Sequence, residues 1–120
     1  SLQREFGDFI NEGLKVIPLE VIQASIAAKP DLRKSLHKYL NWYERIARGY
    51  NYDIYDKKIV ANSIRFIGVK VFHNYKEYIE CRRALHSQTL WVEFELFYNE
   101  FKEDFALAHS PVHNPEDMHP

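Results

Sequence analysis

Five charged residues in the middle of the chain are the strongest candidates for a ligand-binding site, and we call them the polar ridge. They are Arg33, His37, Glu44, Arg48 and Asp53. At about 100° per residue, the first four lie beside the apolar face of a predicted helix, and Asp53 follows in a loop. A buried glutamate on such a ridge could hold a proton or bind a cationic ligand. The alternative is structural, because Glu44 and Arg48 have the i,i+4 spacing of a helical ion pair.

Two arginine–histidine pairs suggest a second kind of chemistry. Arg33–His37 and Arg82–His86 each have three residues between the arginine and the histidine. Helical ribonucleases of the HEPN type separate the two by about four to six residues. They use the pair to deprotonate a ribose hydroxyl and to stabilise the phosphorane. Because neither pair has that spacing, nuclease chemistry is the alternative prediction and not the leading one.

The C-terminal histidines do not predict a metal site. His109 and His113 have i,i+4 spacing, but Pro111 would end a helix between them, and no Cys or HExxH motif lies nearby. The sequence therefore predicts no metal, no cofactor and no catalytic residue. Residues 109–120 contain three X-Pro steps without periodicity, which predicts a flexible tail.

The charge pattern argues against nucleic acid as a partner. The net charge of the chain is −1, so the whole molecule has no field that would attract a polyanion. Residues 29–48 carry six basic and two acidic side chains, yet nucleic-acid-binding domains usually have a stronger basic bias. The last predicted helix is acidic, so it could pair electrostatically with this basic segment, either within one chain or between two copies. We therefore expect a protein partner or a homo-oligomer.

Composition and length indicate one packed domain. The chain has 120 residues, of which 46% are hydrophobic and 15% aromatic, enough for a single core. Cys81 is the one cysteine, so no internal disulfide can form. No stretch approaches the roughly 18 uninterrupted apolar residues that would span a bilayer. The chain begins at Ser1 and not at methionine, so an anchor upstream would not be visible in it.

Apolar residues recur with helical spacing, which predicts an all-α fold. Five helices are predicted, at about residues 1–12, 18–28, 31–50, 57–86 and 88–108. Gly49 is a predicted C-terminal stop, and Asp56 and Ser87 are predicted N-caps. We expect a helical bundle in which three long helices form the core and an N-terminal short helical hairpin packs across it. Residues 1–108 would form this single domain.

The predicted fourth helix is apolar around most of its circumference from Ile59 to Phe72. Such a helix lies either in the centre of a domain or at a subunit interface, and central burial is favoured here. Gly68 in its interior predicts a close helix crossing. The candidate interface residues on the fourth and fifth helices are Phe66, Val69, Val92 and Leu96.

Four segments together resemble a known bacterial family. They are LNWYERIARG (40–49), IYDKKIV (54–60), YKEYIECRR (75–83) and LWVEFELFYNEFKED (90–104). Their order and their aromatic and acidic positions resemble the domain-of-unknown-function family numbered 4760. The resemblance implies a helical domain behind an N-terminal transmembrane segment, in the cytoplasm or at the cytoplasmic face of the inner membrane. It implies no activity.

The leading prediction is a non-enzymatic helical interaction or assembly module, as the soluble part of a membrane-tethered bacterial protein. The alternative is a nuclease-related, HEPN-like helical domain that acts on RNA in a defence context. An RNA-cleavage assay separates the two.

Overall fold

The structure is a computed structural model that describes residues 1–109, and within that range it contains six α-helices and no β-strand. The helices are α1 (Leu2–Ile10), α2 (Leu19–Ala28), α3 (Asp31–Asn51), α4 (Lys57–Asn74), α5 (Lys76–Leu85) and α6 (Val92–Ala108). The predicted all-α fold is confirmed. The number of helices is six where about five were predicted, because the predicted fourth helix is divided into α4 and α5.

The helix α6 packs along both α3 and α4 and joins them into one core. Phe94 of α6 stacks on Tyr43 of α3, with ring centroids 5.1 Å apart, and meets Phe72 of α4 edge-on at 5.2 Å. Aromatic pairs favour these two geometries and bury a large apolar area. The aromatic face of the last predicted helix is buried at Trp91, Phe94, Phe97, Tyr98, Phe101 and Phe105.

Gly68 lies at a close approach of α4 to α6. A Cβ atom on Gly68 would lie 3.0 Å from Cε1 of Phe97 and 4.0 Å from Cε1 of Phe94. The absent side chain therefore lets the aromatic rings of α6 contact the backbone of α4. This confirms the close crossing that the sequence predicts.

The break between α4 and α5 lies at Tyr75 and has a long-range cause. The carbonyl of Asn74 accepts a hydrogen bond from the N–H of Ile17 at 2.9 Å. The side-chain amide of Asn74 donates to the carbonyl of Lys15 at 2.6 Å. The segment that connects α1 to α2 thus binds the end of α4. Helical periodicity continues through this point, so the sequence wrongly predicts one helix over 57–86.

The start of α6 also differs from the prediction. Trp91 is in the left-handed region, with φ at 56°, and α6 begins at Val92 instead of near residue 88. Ser87 caps no helix, and its hydroxyl accepts the N–H of Thr89 in a local turn. The Trp91 indole is 2% exposed and its Nε1 donates to Oδ1 of Asn41 at 2.8 Å. A tertiary contact to α3 therefore fixes this turn.

Gly49 does not end α3, which continues to Asn51. The ring of Tyr55 in the following loop occupies the space that a Cβ atom on Gly49 would need. The glycine is thus required for close packing of the loop on α3 and not for a left-handed stop.

The two N-terminal helices cover one end of the core. Phe6 of α1 is fully buried and meets the ring of Tyr75 edge-on, with centroids 6.1 Å apart. The backbone N–H of Leu19, at the start of α2, donates to Oε1 of Glu77 at 3.0 Å. The two N-terminal helices therefore pack on the core helices, α1 on α3 and α4 and α2 on α3 and α5, and not chiefly on each other as the predicted hairpin implies. None of the helices within residues 1–109 is long and apolar enough to cross a membrane.

Candidate functional site

The carboxylate of Glu44 on α3 binds the N-terminal end of α6. Its Oε1 accepts a hydrogen bond from the N–H of Phe94 at 2.8 Å, and its Oε2 accepts a longer one from the N–H of Glu93 at 3.4 Å. The first N–H groups of a helix need acceptors, which an N-cap side chain usually supplies. Trp91 occupies the N-cap position and makes no side-chain cap. Glu44 therefore caps α6 from a neighbouring helix.

The surroundings of Glu44 leave its carboxylate little capacity for a ligand. Burial raises the pKa of the carboxyl group, although the amides of Phe94 and Glu93 act in the opposite direction. Nη2 of Arg48 lies 3.4 Å from Oε2 in the predicted i,i+4 arrangement. Amide and guanidinium donors thus occupy both oxygens of Glu44, which makes its role in this geometry structural.

A second buried carboxylate, that of Glu93, lies beside Glu44 and was not identified from the sequence. Its Oε1 accepts a hydrogen bond from Nδ2 of Asn51 at 3.0 Å, and its Oε2 accepts the hydroxyl of Tyr52 at 2.8 Å. Glu93 is 7% exposed. Acidic residues in a first helical turn are common, but nothing local to position 93 indicates burial. Asn51, Tyr52 and Glu93 attach the end of α3 to the start of α6.

Asp53 does not join this group. Its backbone is left-handed, with φ at 58°, and its side chain is exposed and lies 3.4 Å from Nζ of Lys57. The left-handed conformation reverses the chain between α3 and α4. The structure therefore places Asp53 in a turn, away from the carboxylates that cap α6.

His37 lies at the opposite end of the polar ridge and faces α5. Its Nε2 is 2.5 Å from the hydroxyl of Tyr78, and its ring meets that of Trp91 edge-on at 5.3 Å. Burial lowers the pKa of His37 to about 4, and the positive charges of Arg82 and Arg33 and the ring of His86 act in the same direction. His37 is thus neutral at pH 7.

The two arginine–histidine pairs of the sequence converge at this point. Arg33 and His37 come from α3, whereas Arg82 and His86 come from the end of α5 and its C-cap. Arg33 and Arg82 line one cavity of about 250 Å³ together with Tyr78, which is hydrogen-bonded to His37. The polar ridge is therefore two separate clusters, one that caps α6 and one that is basic and lies between α3 and α5.

The four candidate interface residues do not form one surface. Val69 is fully buried, so its side chain is part of the core. Phe66 is half-buried and packs edge-on against Phe105 of α6 at 5.6 Å. Val92 is half-buried and Leu96 is 53% exposed, at the other end of α6. Residues 92 and 105 are roughly 20 Å apart along the helix axis.

Metal ligands are not grouped in the part of the chain that the structure describes. No set of three His, Cys, Asp or Glu side chains within residues 1–109 could hold a metal ion. The ring of His109 stacks on Phe105, with centroids 4.0 Å apart, and its Nδ1 contacts the Phe105 carbonyl. His113, His119 and the rest of the predicted tail from residue 110 lie outside the described residues.

Comparison with known proteins gives one match. No curated protein and no solved structure matches the chain significantly. A domain of unknown function, DUF4760, matches residues 4–101 and so covers α1 to α5 and most of α6. The resemblance that the aromatic and acidic segments predict is confirmed over a longer range than those segments span. The chain belongs to the DUF4760 family.

Proposed function

We propose that this chain is a non-enzymatic assembly module whose partner is a second copy of itself. The observation that carries the proposal is an exposed face of α6 that is both apolar and acidic. Val92, Leu96, Glu103 and Leu107 fall within an arc of about 60° on this helix. Leu96 is 53% and Leu107 is 62% exposed. We call these four residues the acidic α6 face.

A complementary surface lies on α4 of the same molecule. Ile59, Ser63, Ile67 and Lys70 fall within an arc of about 80°, and we call them the basic α4 face. Ile59 is 65% and Ile67 is 52% exposed. The helix α4 carries four basic residues and no acidic one, whereas α6 carries five acidic residues and one basic one. Glu103 on the acidic α6 face and Lys70 on the basic α4 face carry opposite charges among apolar residues, which favours contact between α6 of one copy and α4 of the next.

Such a contact joins two different surfaces, so it repeats from copy to copy. It forms a ring if the rotation closes and an open chain if it does not. Sedimentation velocity of the purified protein at increasing concentrations should show species larger than a dimer, either one closed ring or a series of sizes. A strict monomer at every concentration would overturn the proposal.

Substitutions on the acidic α6 face test the surface itself. Leu96→Ser combined with Leu107→Ser should shift the protein to the monomer, because both apolar contacts are lost. Leu14→Ser combined with Leu85→Ser is the matched control, since these leucines are also exposed but lie elsewhere. Glu103→Lys should weaken assembly, and Lys70→Glu in the same chain should restore it. Failure of that restoration would place the contact on another surface.

The module is proposed to act at the cytoplasmic face of the inner membrane, as part of a membrane-tethered bacterial protein. Family membership supports this, because the family resemblance implies an anchor ahead of the helical domain. Fractionation of the full-length gene product tests it. Recovery of that product entirely in the soluble fraction would remove the tether from the proposal.

A second candidate function, action on RNA, is favoured by one observation. Arg33, His37, Arg82 and His86 come together between α3 and α5, although the sequence spacing of each pair differs from that of HEPN ribonucleases. Incubation with single-stranded RNA, with His37→Ala as the comparison, tests this candidate. Absence of cleavage at any protein concentration would eliminate it.

A further inference from the structure

A groove of about 700 Å³ runs along the outer side of α3 and contains a high density of positive charge. It is lined by Pro30, Asp31, Arg33, Lys34, His37, Lys38, Asn41 and Arg45. Four of these side chains are cationic and Asp31 is the one acid among them. We call this surface the basic groove. Its volume is in the range of sites that hold small molecules.

The charges of the basic groove are not neutralised within residues 1–109. None of Arg33, Lys34, Lys38 and Arg45 lies within 4.0 Å of a carboxylate oxygen there. Mutual repulsion among unpaired cations costs stability, which an anionic ligand would relieve. Because the net charge of the whole chain is −1, the positive charge is concentrated at this groove and is not spread over the molecule.

Arg82 of α5 adds an unsatisfied donor next to the groove. Its Nε is buried and has no hydrogen-bond partner among the described residues. A buried donor without an acceptor is uncommon in folded proteins and calls for an explanation. Arg82 lines a smaller cavity of about 250 Å³, and Arg33 lines both cavities. Tyr78, the hydrogen-bond partner of His37, lines the smaller cavity together with both arginines.

We propose that the basic groove binds a small anion that carries two or more phosphate groups. Arginine presents parallel N–H donors that match the oxygens of a phosphate, and lysine adds a compact charge to a second phosphate. Arg33 is placed to bind one phosphate group, while Lys34, Lys38 and Arg45 extend along α3 toward others. Neutral His37, held by Tyr78, can offer a further donor or take up a proton as the anion approaches.

The proposal goes beyond assembly, because the basic groove is separate from the acidic α6 face and the basic α4 face. It is also independent of RNA cleavage, since a binding site needs no proton transfer. The extent of the groove favours a compact ligand over a long nucleic acid, for which a continuous basic surface would be expected.

Calorimetric titration of the purified protein with inorganic tripolyphosphate tests the proposal. We expect saturable binding of one anion per chain, weakened by added salt. Arg33→Gln combined with Arg82→Gln should weaken binding by at least about tenfold. Arg82 is partly buried, so its replacement could also disturb folding. Lys34→Gln combined with Lys38→Gln changes only exposed side chains and should weaken binding of tripolyphosphate by about fivefold. Arg4→Gln combined with Lys58→Gln, which removes equal charge elsewhere, should bind as the wild type does.

A second readout comes from the His37 ring, observed by NMR. A bound anion opposes the positive charges of Arg33 and Arg82, so the pKa of His37 should rise when tripolyphosphate is added. Titration with ATP distinguishes a nucleotide from free polyphosphate, since tighter binding of ATP would show that the base also contributes. Three results would overturn the proposal: no saturable binding, equal binding by the groove variants and the control, or binding of single-stranded RNA without binding of tripolyphosphate.

Discussion

At the level of single residues, Glu44 is the side chain whose role is best defined by its contacts. It supplies the acceptors for two N–H groups of α6 and pairs with Arg48. Glu44→Ala should therefore lower the free energy of unfolding by about 1–2 kcal/mol, the usual cost of losing a helix cap. For a domain of this size that corresponds to a fall in Tm of roughly 4–8 °C, measured by far-UV circular dichroism.

The matched control for Glu44 is Asp104→Ala. Asp104 is an exposed acid on α6, outside the acidic α6 face, for which the described residues show no hydrogen bond or ion pair, so its replacement should change the Tm little. Assembly should change less than stability in Glu44→Ala. Unchanged melting together with lost partner binding would instead make Glu44 part of a functional site.

Two partly buried histidines should make stability depend on pH. Burial lowers the pKa of His37 to about 4, and Arg82, Arg33 and His86 add to this shift. Burial also lowers the pKa of His73, and Lys76 adds to that shift. The unfolded chain therefore binds more protons than the folded chain below about pH 6.5. Stability is fully present above that pH and is lost as the pH falls toward 4.

Urea unfolding at pH 7 and at pH 5 measures this loss. We expect His37 alone to account for about 1 kcal/mol of it after allowance for solvent screening. The double variant His37→Asn, His73→Asn should retain much less of the pH dependence than the wild type. Equal slopes for the two proteins would show that other groups are responsible.

The sequence predicted part of the candidate site, and the part it missed has a common cause. The Glu44–Arg48 pair follows from a local i,i+4 rule and was found correctly. The burial of Glu93, and the meeting of His37 with Arg82, depend on how α6 and α5 pack against α3. Such contacts join residues about 40 to 50 positions apart, and helical spacing within one segment carries no information about them.

At the level of helices, α4 and α6 pack closely where they cross at Gly68. Gly68→Val should destabilise the protein by about 2 kcal/mol, because Phe97 is held by Tyr50 and Phe101 and cannot easily move away. Ser63→Val places the same β-branched side chain on the exposed side of α4 and controls for helix propensity. Chemical denaturation measures both. If both variants lose the same free energy of unfolding, helix propensity and not the helix crossing explains the loss.

The helices that the sequence predicted correctly are those whose ends are determined locally. Asp56 accepts the N–H of Ile59 at 3.0 Å and caps α4 as predicted. The errors lie at Tyr75 and Trp91, where distant residues decide the backbone conformation. Asn74 is bound by the α1–α2 connector, and Trp91 is bound by Asn41. The periodicity of apolar residues cannot show that a backbone carbonyl of the helix will accept a hydrogen bond from a distant segment.

At the level of the whole molecule, function and stability use different parts of the same helices. The inner sides of α3, α4 and α6 form the aromatic core, and their outer sides carry the basic groove, the basic α4 face and the acidic α6 face. The carboxylate of Glu44, a candidate for a site, is used to hold α3 against α6. The unneutralised charge lies outside that contact, which is why the proposals for assembly and for anion binding concern the outer surfaces.

The N-terminal helix should be a cooperative part of the domain and not an appendage. Phe6 is fully buried against Tyr75, at the break that the α1–α2 connector imposes on α4 and α5. Phe6→Ala should therefore lower the global free energy of unfolding by about 3 kcal/mol, the usual cost of removing a buried aromatic ring. Phe9→Ala is the control on the same helix, because Phe9 is only half-buried and should cost less than half as much.

Two probes distinguish global unfolding from local loss of α1 in the Phe6→Ala variant. Tryptophan fluorescence reports on Trp91, which is buried beside α3, and on Trp42 of α3, both outside α1, whereas far-UV circular dichroism reports on all helices. A cooperative domain gives one transition, with the same lowered midpoint by both probes. If α1 instead unfolds by itself, the Trp91 transition keeps its wild-type midpoint while some helix signal is lost earlier. That result would reduce the folding unit to α2 to α6 and would remove α1 from the single domain.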